Sequence, residues 1–261
     1  MGEEEPFLEK IREEALAGAV PIIRDETAAL LRLFLLLKRP KRVLELGAAV
    51  GYSALFMAGF LPEGGRILTV ESCPRRAEEA RANIAGSPFS DRIDLFEGDA
   101  GEFLSSLSER GEKFPFIFLD AAKAQYPVWL PMLLRLLTEG GILLSDNVLL
   151  DGEIAKSRFE IPRRDRTIHR RMREYLFSIT HSRQLRTAVL PVGDGLSVSL
   201  SCPEAAEPAS LPFRTTVSPS VEKREGEGEG GRAPGDGMRE AEGQLFLQRG
   251  RDREERGKGR E

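Results

Sequence analysis

Short runs of apolar residues alternate with amphipathic stretches through most of the chain. Five runs have the length and the bounding polar residues of β-strands, at 42–46, 66–71, 92–96, 114–120 and 141–145. The stretches after the first four runs place apolar residues at helical spacing, over 52–60, 74–85, 101–109 and 126–138. This alternation predicts a doubly wound α/β sheet with helices on both faces.

Further elements flank this alternating region. Two helices precede the first strand, one around residues 8–16 and one over 26–38. An Arg-rich helix is predicted at 163–180, followed by strands at 187–192 and 195–201. Gly193 and Asp194 between these two strands are typical of a hairpin turn. We therefore expect an antiparallel hairpin to complete the sheet.

The composition changes sharply near Pro203. From 203 to 261 the sequence is rich in Glu, Arg, Gly, Pro and Ser, and it has few apolar residues that could form a core. Such a segment buries too little surface to offset its ordering entropy. We predict one folded domain over 1–202 and a disordered, charged tail over 203–261.

Charge and cysteine content exclude some classes of protein. The net charge of the 261 residues is -4, which indicates no particular partner. Two cysteines, Cys73 and Cys202, are too few for a disulfide framework and form no zinc-binding pair. The acidic start MGEEEP is unlike a signal peptide, and no apolar run approaches the roughly 20 residues that span a bilayer. We expect a cytoplasmic protein with no membrane association.

A glycine-rich turn follows the first predicted strand. In open α/β sheets, ligands bind beyond the carboxyl ends of the strands. Glu45, Gly47 and Gly51 form the spacing E-x-G-x-x-x-G, and Ser53 begins the next helix. This differs from the G-x-G-x-x-G of dinucleotide sites and favours a ligand with an amino acid end. Alone the pattern is weak, since such turns are often only structural.

Acidic residues follow the next two strands. Glu71 lies about 20 residues beyond the glycine turn, where an acid binds a ribose diol. It could instead serve only the start of the helix at Pro74. Asp99 is placed to accept a hydrogen bond from an adenine amino group, or to cap the helix that begins near Gly101. Together these acids favour a nucleoside ligand.

Oxygen-bearing side chains follow the fourth and fifth strands. Asp120, Asp146 and Asn147 are predicted to meet at one edge of the sheet and suit Mg²⁺ or another hard cation. Lys123 lies one helical turn beyond Asp120, so both can face one site. A lysine beside a cation suits the role of general base. The competing interpretation is a set of ordinary polar turn residues.

The motifs LELGAAVGYSAL, FLDAAKAQY and SDNVL resemble those of class I, cation-dependent S-adenosylmethionine O-methyltransferases, which include catechol and caffeoyl-CoA O-methyltransferases. The segments VPIIRDETAALL, RDRTIHRRMREYL and PVGDGLSVS extend the likeness toward bacterial tRNA 5-hydroxyuridine methyltransferases. The resemblance covers about residues 10–202. It implies a seven-stranded Rossmann-like sheet and a homodimer.

The resemblance also implies roles for individual residues. It places the methyl donor, S-adenosylmethionine, along Ile23, Glu45, Gly47, Ser53, Glu71, Asp99, Ala100 and Asp120. It makes Asp120, Asp146 and Asn147 ligands of Mg²⁺ or another divalent cation, and Lys123 the catalytic base.

The implied reaction is Mg²⁺-dependent methylation of the 5-hydroxyl of 5-hydroxyuridine at the wobble position of tRNA, giving 5-methoxyuridine. The Arg-rich segment 158–173 would attract the RNA backbone, although charge runs are more often solvated helix faces. The nearest alternative is an O-methyltransferase of a catechol-like small molecule. A nicotinamide-dependent dehydrogenase and a non-enzymatic nucleoside-binding module fit the glycine spacing and the acidic cluster less well.

Overall fold

The computed structural model describes residues 6–202, so the tail predicted at 203–261 lies outside the described residues. Within them, seven strands form one sheet. The strands are β1 (Arg42–Leu46), β2 (Arg66–Glu71), β3 (Ile93–Glu97), β4 (Phe114–Leu119), β5 (Leu137–Ser145), β6 (Leu185–Leu190) and β7 (Leu196–Ser201). The helices are α1 (Pro6–Ala17), α2 (Asp25–Lys38), α3 (Tyr52–Ala58), α4 (Pro74–Ala85), α5 (Ala100–Glu109), α6 (Tyr126–Leu136) and α7 (Arg166–Thr180).

The strand order confirms the predicted fold class. The order across the sheet is β3-β2-β1-β4-β5-β7-β6. The first five strands are parallel to one another, whereas β7 is antiparallel to both β5 and β6. The chain reverses its direction of travel across the sheet between β1 and β4, and this is where α/β sheets bind ligands.

Alternate side chains of the central strands enter two separate cores. Phe116 and Phe118 pack in the core formed with α1, α2 and α3, while Ile117 and Leu119 pack in the core formed with α5, α6 and α7. All four side chains are buried. A parallel strand covered on both faces is apolar at every position, and this is why β4 reads as a continuous apolar run.

Several predicted boundaries were wrong. The helix predicted to reach 138 ends at Leu136, because Leu137 adopts an extended conformation and pairs with Phe114 of β4. The Arg-rich helix begins at Arg166 rather than at 163, after a turn in which the Asp165 N–H donates to the Pro162 carbonyl.

The closing hairpin also differs from its prediction. β6 ends at Leu190 and β7 begins at Leu196, so residues 191–195 form a longer connection than a two-residue turn. Two short 3-10 segments, Lys123–Gln125 and Leu150–Ala155, were not predicted, and the second is kinked at Asp151 and Gly152, where φ is positive. Among residues 6–202, no helix combines the length and the apolar character needed to cross a membrane.

Candidate functional site

A cleft of about 710 Å³ opens where the parallel strands end. Gly47 follows β1 and Asp120 follows β4, so the cleft lies at the reversal of strand order. Ten of the eleven site residues predicted from the sequence line it: Ile23, Gly47, Ser53, Glu71, Asp99, Ala100, Asp120, Lys123, Asp146 and Asn147. The structure therefore brings together residues from the ends of all five parallel strands.

The glycine turn allows β1 and β4 to end side by side. Gly47 has φ +98°, and a Cβ atom at this position would lie 2.0 Å from the carbonyl oxygen of Asp120. Gly51, at the start of α3, has φ +85°. Residues other than glycine rarely adopt such φ angles. The two glycines therefore let the backbone pass close to Asp120 and turn directly into α3.

Glu71 ties the glycine turn to the start of α4. Its Oε2 accepts from the Ala49 N–H at 2.9 Å, and its Oε1 accepts from the Cys73 N–H at 2.8 Å. Each carboxylate oxygen can accept a further hydrogen bond. Glu71 therefore performs the structural role considered for it and keeps acceptor capacity toward the cleft that it lines.

Asp99 is the N-cap of α5. Its Oδ1 accepts from the Gly101 N–H at 2.8 Å and from the Glu102 N–H at 3.0 Å. The capping role weighed from the sequence is thus present. Its Oδ2 takes no part in these two hydrogen bonds, and the residue lines the cleft beside Ala100.

Glu45 is the predicted site residue that does not line the cleft. It is fully buried, and its Oε2 accepts from the Thr69 hydroxyl at 2.5 Å. Burial raises the pKa of Glu45 to about 7, even though the hydroxyls of Ser53 and Thr69 oppose this shift. The negative charges of Asp120 and Glu71 raise the pKa further. Burial and neighbouring acids therefore favour the neutral form of this carboxyl group.

Asp120 and Lys123, which both line the cleft, form an ion pair. The Lys123 Nζ lies 2.8 Å from the Asp120 Oδ1, and each side chain is about one-quarter exposed, at 25% and 24%. The 3-10 helix Lys123–Gln125 brings the lysine back toward the end of β4. A cationic amine and a carboxylate thus stand together beside the glycine turn.

Asp146 is buried close to Asp120. It is 2% exposed, and its Oδ1 accepts from the Asn147 N–H at 2.8 Å. Burial raises the pKa of Asp146 to about 6, and the negative charge of Asp120 adds to this effect. Two carboxylates this close repel each other, and a bound cation would offset that repulsion.

The side chain of Asn147 is held by a residue that the sequence analysis had assigned only to a turn. Asn147 has φ +57°, and its Nδ2 donates to the Asp194 Oδ2 at 3.1 Å. This contact orients the amide and engages its Nδ2 rather than its Oδ1. Asp194 itself lines the cleft and forms an ion pair with Arg24. Burial, followed by the nearby Asp151, raises the pKa of Asp194.

The donor set fits a hard divalent cation. Asp120, Asp146 and Asn147 offer two carboxylates and one amide oxygen, the chemistry that Mg²⁺ prefers in proteins. Within the described chain, no group of three or more His, Cys, Asp or Glu side chains is arranged to hold a metal. Any cation here would depend on the amide and on oxygens from outside the protein.

Comparison with a family model gives a match over nearly all of the described chain. The model is that of an O-methyltransferase family and matches residues 2–202. A catechol O-methyltransferase of Niastella koreensis is 34% identical over 154 residues, which are 58% of this chain and 70% of that protein. A caffeoyl-CoA O-methyltransferase of Populus kitakamiensis is 29% identical over 188 residues, 70% of this chain and 79% of its own length.

Solved structures show the same fold. The crystal structure of an O-methyltransferase from Bacillus cereus in complex with SAH has a TM-score of 0.69 to this chain. It is 24% identical in sequence, and the alignment covers 77% of this chain and 93% of that one. At this identity the likeness supports the fold.

Proposed function

The chain belongs to the O-methyltransferase family and is an S-adenosylmethionine-dependent O-methyltransferase, and we propose that its acceptor is a hydroxyl group next to a second oxygen atom. One observation carries the proposal. The oxygen ligands Asp120, Asp146 and Asn147 line the same cleft as the glycine turn, with Lys123 beside them. A site for a methyl donor and a site for an acceptor with two adjacent oxygens would thus share one cavity.

The donor would lie along the residues at the ends of β1, β2 and β3. Glu71 would accept from the ribose hydroxyls with the lone pairs that the backbone N–H groups leave free. Asp99 would accept from the adenine amino group through its Oδ2. Gly47, Ser53 and Asp120 would hold the amino acid end, with Ile23 against one wall.

A divalent cation such as Mg²⁺ would be held by Asp120, Asp146 and Asn147. When bound, such a cation supplies Lewis acidity and a template for two adjacent acceptor oxygens. The repulsion between Asp120 and Asp146, which helps to raise the pKa of Asp146, favours binding of the cation. Asp194 orients the Asn147 amide and leaves its oxygen available.

Lys123, in the neutral form that a divalent cation bound beside it would favour, would take the proton of the acceptor hydroxyl. Its Nζ is 2.8 Å from Asp120, so the carboxylate fixes the amine beside the proposed acceptor position. The oxyanion formed would then attack the methyl carbon of S-adenosylmethionine while the sulfur–methyl bond breaks, so that S-adenosylhomocysteine leaves. Alignment of two bound reactants supplies much of the rate in such reactions.

Two acceptors have the required pair of oxygens. A catechol-like small molecule is the first candidate, because two relatives of this chain are named catechol O-methyltransferase and caffeoyl-CoA O-methyltransferase. A 5-hydroxyuridine in tRNA is the second, and the Arg-rich segment 158–173 is the observation that favours it. The homodimer implied by the resemblance remains a prediction.

The test offers both acceptors to the purified full-length protein with labelled S-adenosylmethionine and Mg²⁺. We expect methylation of one acceptor, and its loss when EDTA is added. The Asp146→Ala variant should lose methyl transfer by at least about a hundredfold while binding S-adenosylmethionine in calorimetry as the wild type does. Asp91→Ala, an exposed aspartate outside the cleft, serves as the control.

The outcomes separate the elements of the proposal. Methylation that is unaffected by EDTA would refute the requirement for a divalent cation. Full activity of Asp146→Ala would refute its role as a ligand. Methylation of catechol but not of tRNA carrying 5-hydroxyuridine would assign the enzyme to small molecules, and the reverse result would assign it to RNA.

A further inference from the structure

A second cleft, of about 870 Å³, lies along α7 from Arg166 to Phe177. One side is formed by the segment 156–158, which follows the 3-10 helix Leu150–Ala155. The other side is formed by α7. The lining residues are Lys156, Ser157, Arg158, Arg166, Thr167, His169, Arg170, Arg173, Glu174 and Phe177. None of them contributes to the cleft that holds the proposed methylation site.

Positive charge dominates this second cleft. Five of its lining residues are Lys or Arg, and Glu174 is the one carboxylate among those described. Arg170 pairs with Glu174, with 2.5 Å between Nη1 and Oε1. Arg158 has no ion pair or side-chain hydrogen bond within residues 6–202. The lining therefore holds more cationic donors than its own acceptors can satisfy.

Two of the other arginines are already oriented by the backbone. The Arg166 Nε donates to the Ile161 carbonyl at 3.0 Å, and the Arg173 Nη1 donates to the Ile154 carbonyl at 3.2 Å. A guanidinium has five N–H donors, so each keeps several for a ligand. Fixed guanidinium groups lose less entropy on binding an anion than free ones do.

A buried histidine provides an independent sign of a ligand. His169 lines the second cleft and is only 4% exposed. Its Nε2 is buried and has no hydrogen-bond partner among the described residues. An unpartnered buried polar atom costs free energy, and a ligand that supplies a partner recovers it. A small rotation of the ring toward the cleft would let an anionic oxygen bound there accept a hydrogen bond from the Nε2–H.

The start of α7 adds to the attraction. The side chain of the N-cap residue, Asp165, makes no capping hydrogen bond. The first backbone N–H groups of α7 therefore lack a side-chain acceptor, and Arg166 and Thr167 of this turn line the cleft. A helix start in this condition favours a phosphate group.

An aromatic ring stands at the other end of the cleft. Phe177 is 64% exposed and lines the cleft. One of its faces stacks on the His181 ring, with 4.0 Å between centroids. The stacking holds the Phe177 ring in place, and its remaining exposed surface offers a platform for a nucleobase.

From these contacts we infer that the second cleft binds a nucleoside phosphate, either free or as part of an RNA chain. The arginines and His169 receive the phosphate, and Phe177 stacks on the base. This site is separate from the methylation site, and the inference holds whichever acceptor the enzyme uses.

The test measures three probes on the full-length protein: inorganic pyrophosphate, UDP and a short fluorescein-labelled oligouridylate. Saturating S-adenosylhomocysteine is present throughout, so that the donor part of the first cleft is not available to the probes, and the comparison of variant with control assigns the binding that remains to the second cleft. The variant is Arg158→Gln with Arg170→Gln. The control is Arg75→Gln with Arg110→Gln, which removes the same charge outside both clefts. Arg75 matches Arg170 because it also pairs with a Glu four residues later in a helix.

We expect UDP to bind more tightly than pyrophosphate by about fivefold or more, since a stacked base contributes about 1–3 kcal/mol. The Arg158/Arg170 variant should weaken UDP binding at least about tenfold, because charge-assisted hydrogen bonds are lost. The control should stay within about twofold. Circular dichroism should give the same spectrum for both variants as for the wild type, which checks that they are folded.

Each remaining outcome decides the inference or the source of the ligand. Tight binding of oligouridylate with weak binding of UDP identifies an RNA chain as the source, and comparable binding identifies a free nucleotide. Equal affinity for pyrophosphate and UDP would refute the stacking of a nucleobase on Phe177. The inference fails if no probe binds at about 150 mM salt, or if the variant and the control lose equal affinity.

Discussion

Replacing Glu45 by Gln should flatten the pH dependence of the protein's stability. The carboxyl group is fully buried, and burial raises its pKa to about 7 from the ordinary 4.5. In the unfolded chain this group ionises near its ordinary pKa. Folding therefore favours the protonated form, and the favourable contribution is complete below about pH 4.5 and is lost as the pH rises through about 7.

The magnitude follows from the difference between the two pKa values. One pKa unit corresponds to about 1.4 kcal/mol, so the full loss amounts to about 3 kcal/mol. Between about pH 5 and pH 8, the loss is about 2–3 kcal/mol, because part of it has occurred below pH 5. Gln has nearly the same shape, stays neutral, and can accept the hydrogen bond from the Thr69 hydroxyl.

The assay is urea unfolding followed by circular dichroism at about pH 5, 6.5 and 8. Between the lowest and the highest pH, the wild type should lose about 2–3 kcal/mol more unfolding free energy than Glu45→Gln does. Glu78→Gln, on the exposed face of α4, is the control and should follow the wild type. Identical pH dependence in wild type and Glu45→Gln would show that Glu45 is ionised in the folded protein at neutral pH, against the reasoning from burial.

Two further predictions concern the first cleft. Gly47→Ala should lower the unfolding free energy by more than the roughly 1–3 kcal/mol of backbone strain alone, since its Cβ would lie 2.0 Å from the Asp120 carbonyl oxygen. Gly64 has φ +71° and no atom within 4 Å of a new Cβ, so Gly64→Ala should lower the unfolding free energy by the backbone strain only. Equal losses of unfolding free energy in the two variants would show that the close approach of Gly47 to Asp120 adds nothing. Glu71→Gln should weaken S-adenosylmethionine binding at least about tenfold in calorimetry, because the amide has one acceptor oxygen in place of two and leaves fewer acceptors for the ribose hydroxyls. Unchanged affinity would mean that Glu71 serves only the turn.

The order of elements could be predicted because the parallel strands are unambiguous in sequence. β4 is apolar on both faces, and the helices around it carry one apolar stripe each. The pattern of apolar residues could not predict that β7 lies between β5 and β6, because that position depends on pairing between strands far apart in sequence. The end of α6 was missed for a related reason. Leu137 continues the helical spacing, but its pairing with Phe114 draws it into β5.

Most of the cleft could be predicted from the positions of polar residues at strand ends. Residues after parallel strands must meet at one edge of the sheet, so Asp120 and Asp146 were expected together, and both line the cleft. Asp194 was missed because Gly193 beside it suggested only a turn. The antiparallel direction of β7 was the available signal. Ser197 pairs with Ser145 at the end of β5, so the connection before β7 must lie at the same edge.

The polar residues of the first cleft are held in place by the protein itself. Glu71 is bound by two backbone N–H groups, Asp99 caps α5, and Asp194 holds the Asn147 amide. Because these bonds are made within the protein, they restrict side chains that a ligand would otherwise have to order. Lone pairs that remain on the same oxygens are therefore already directed, and this explains how residues with structural roles at strand ends can also form a site. The choice between a structural and a functional role, which the sequence poses for Glu71 and Asp99, is thus not exclusive.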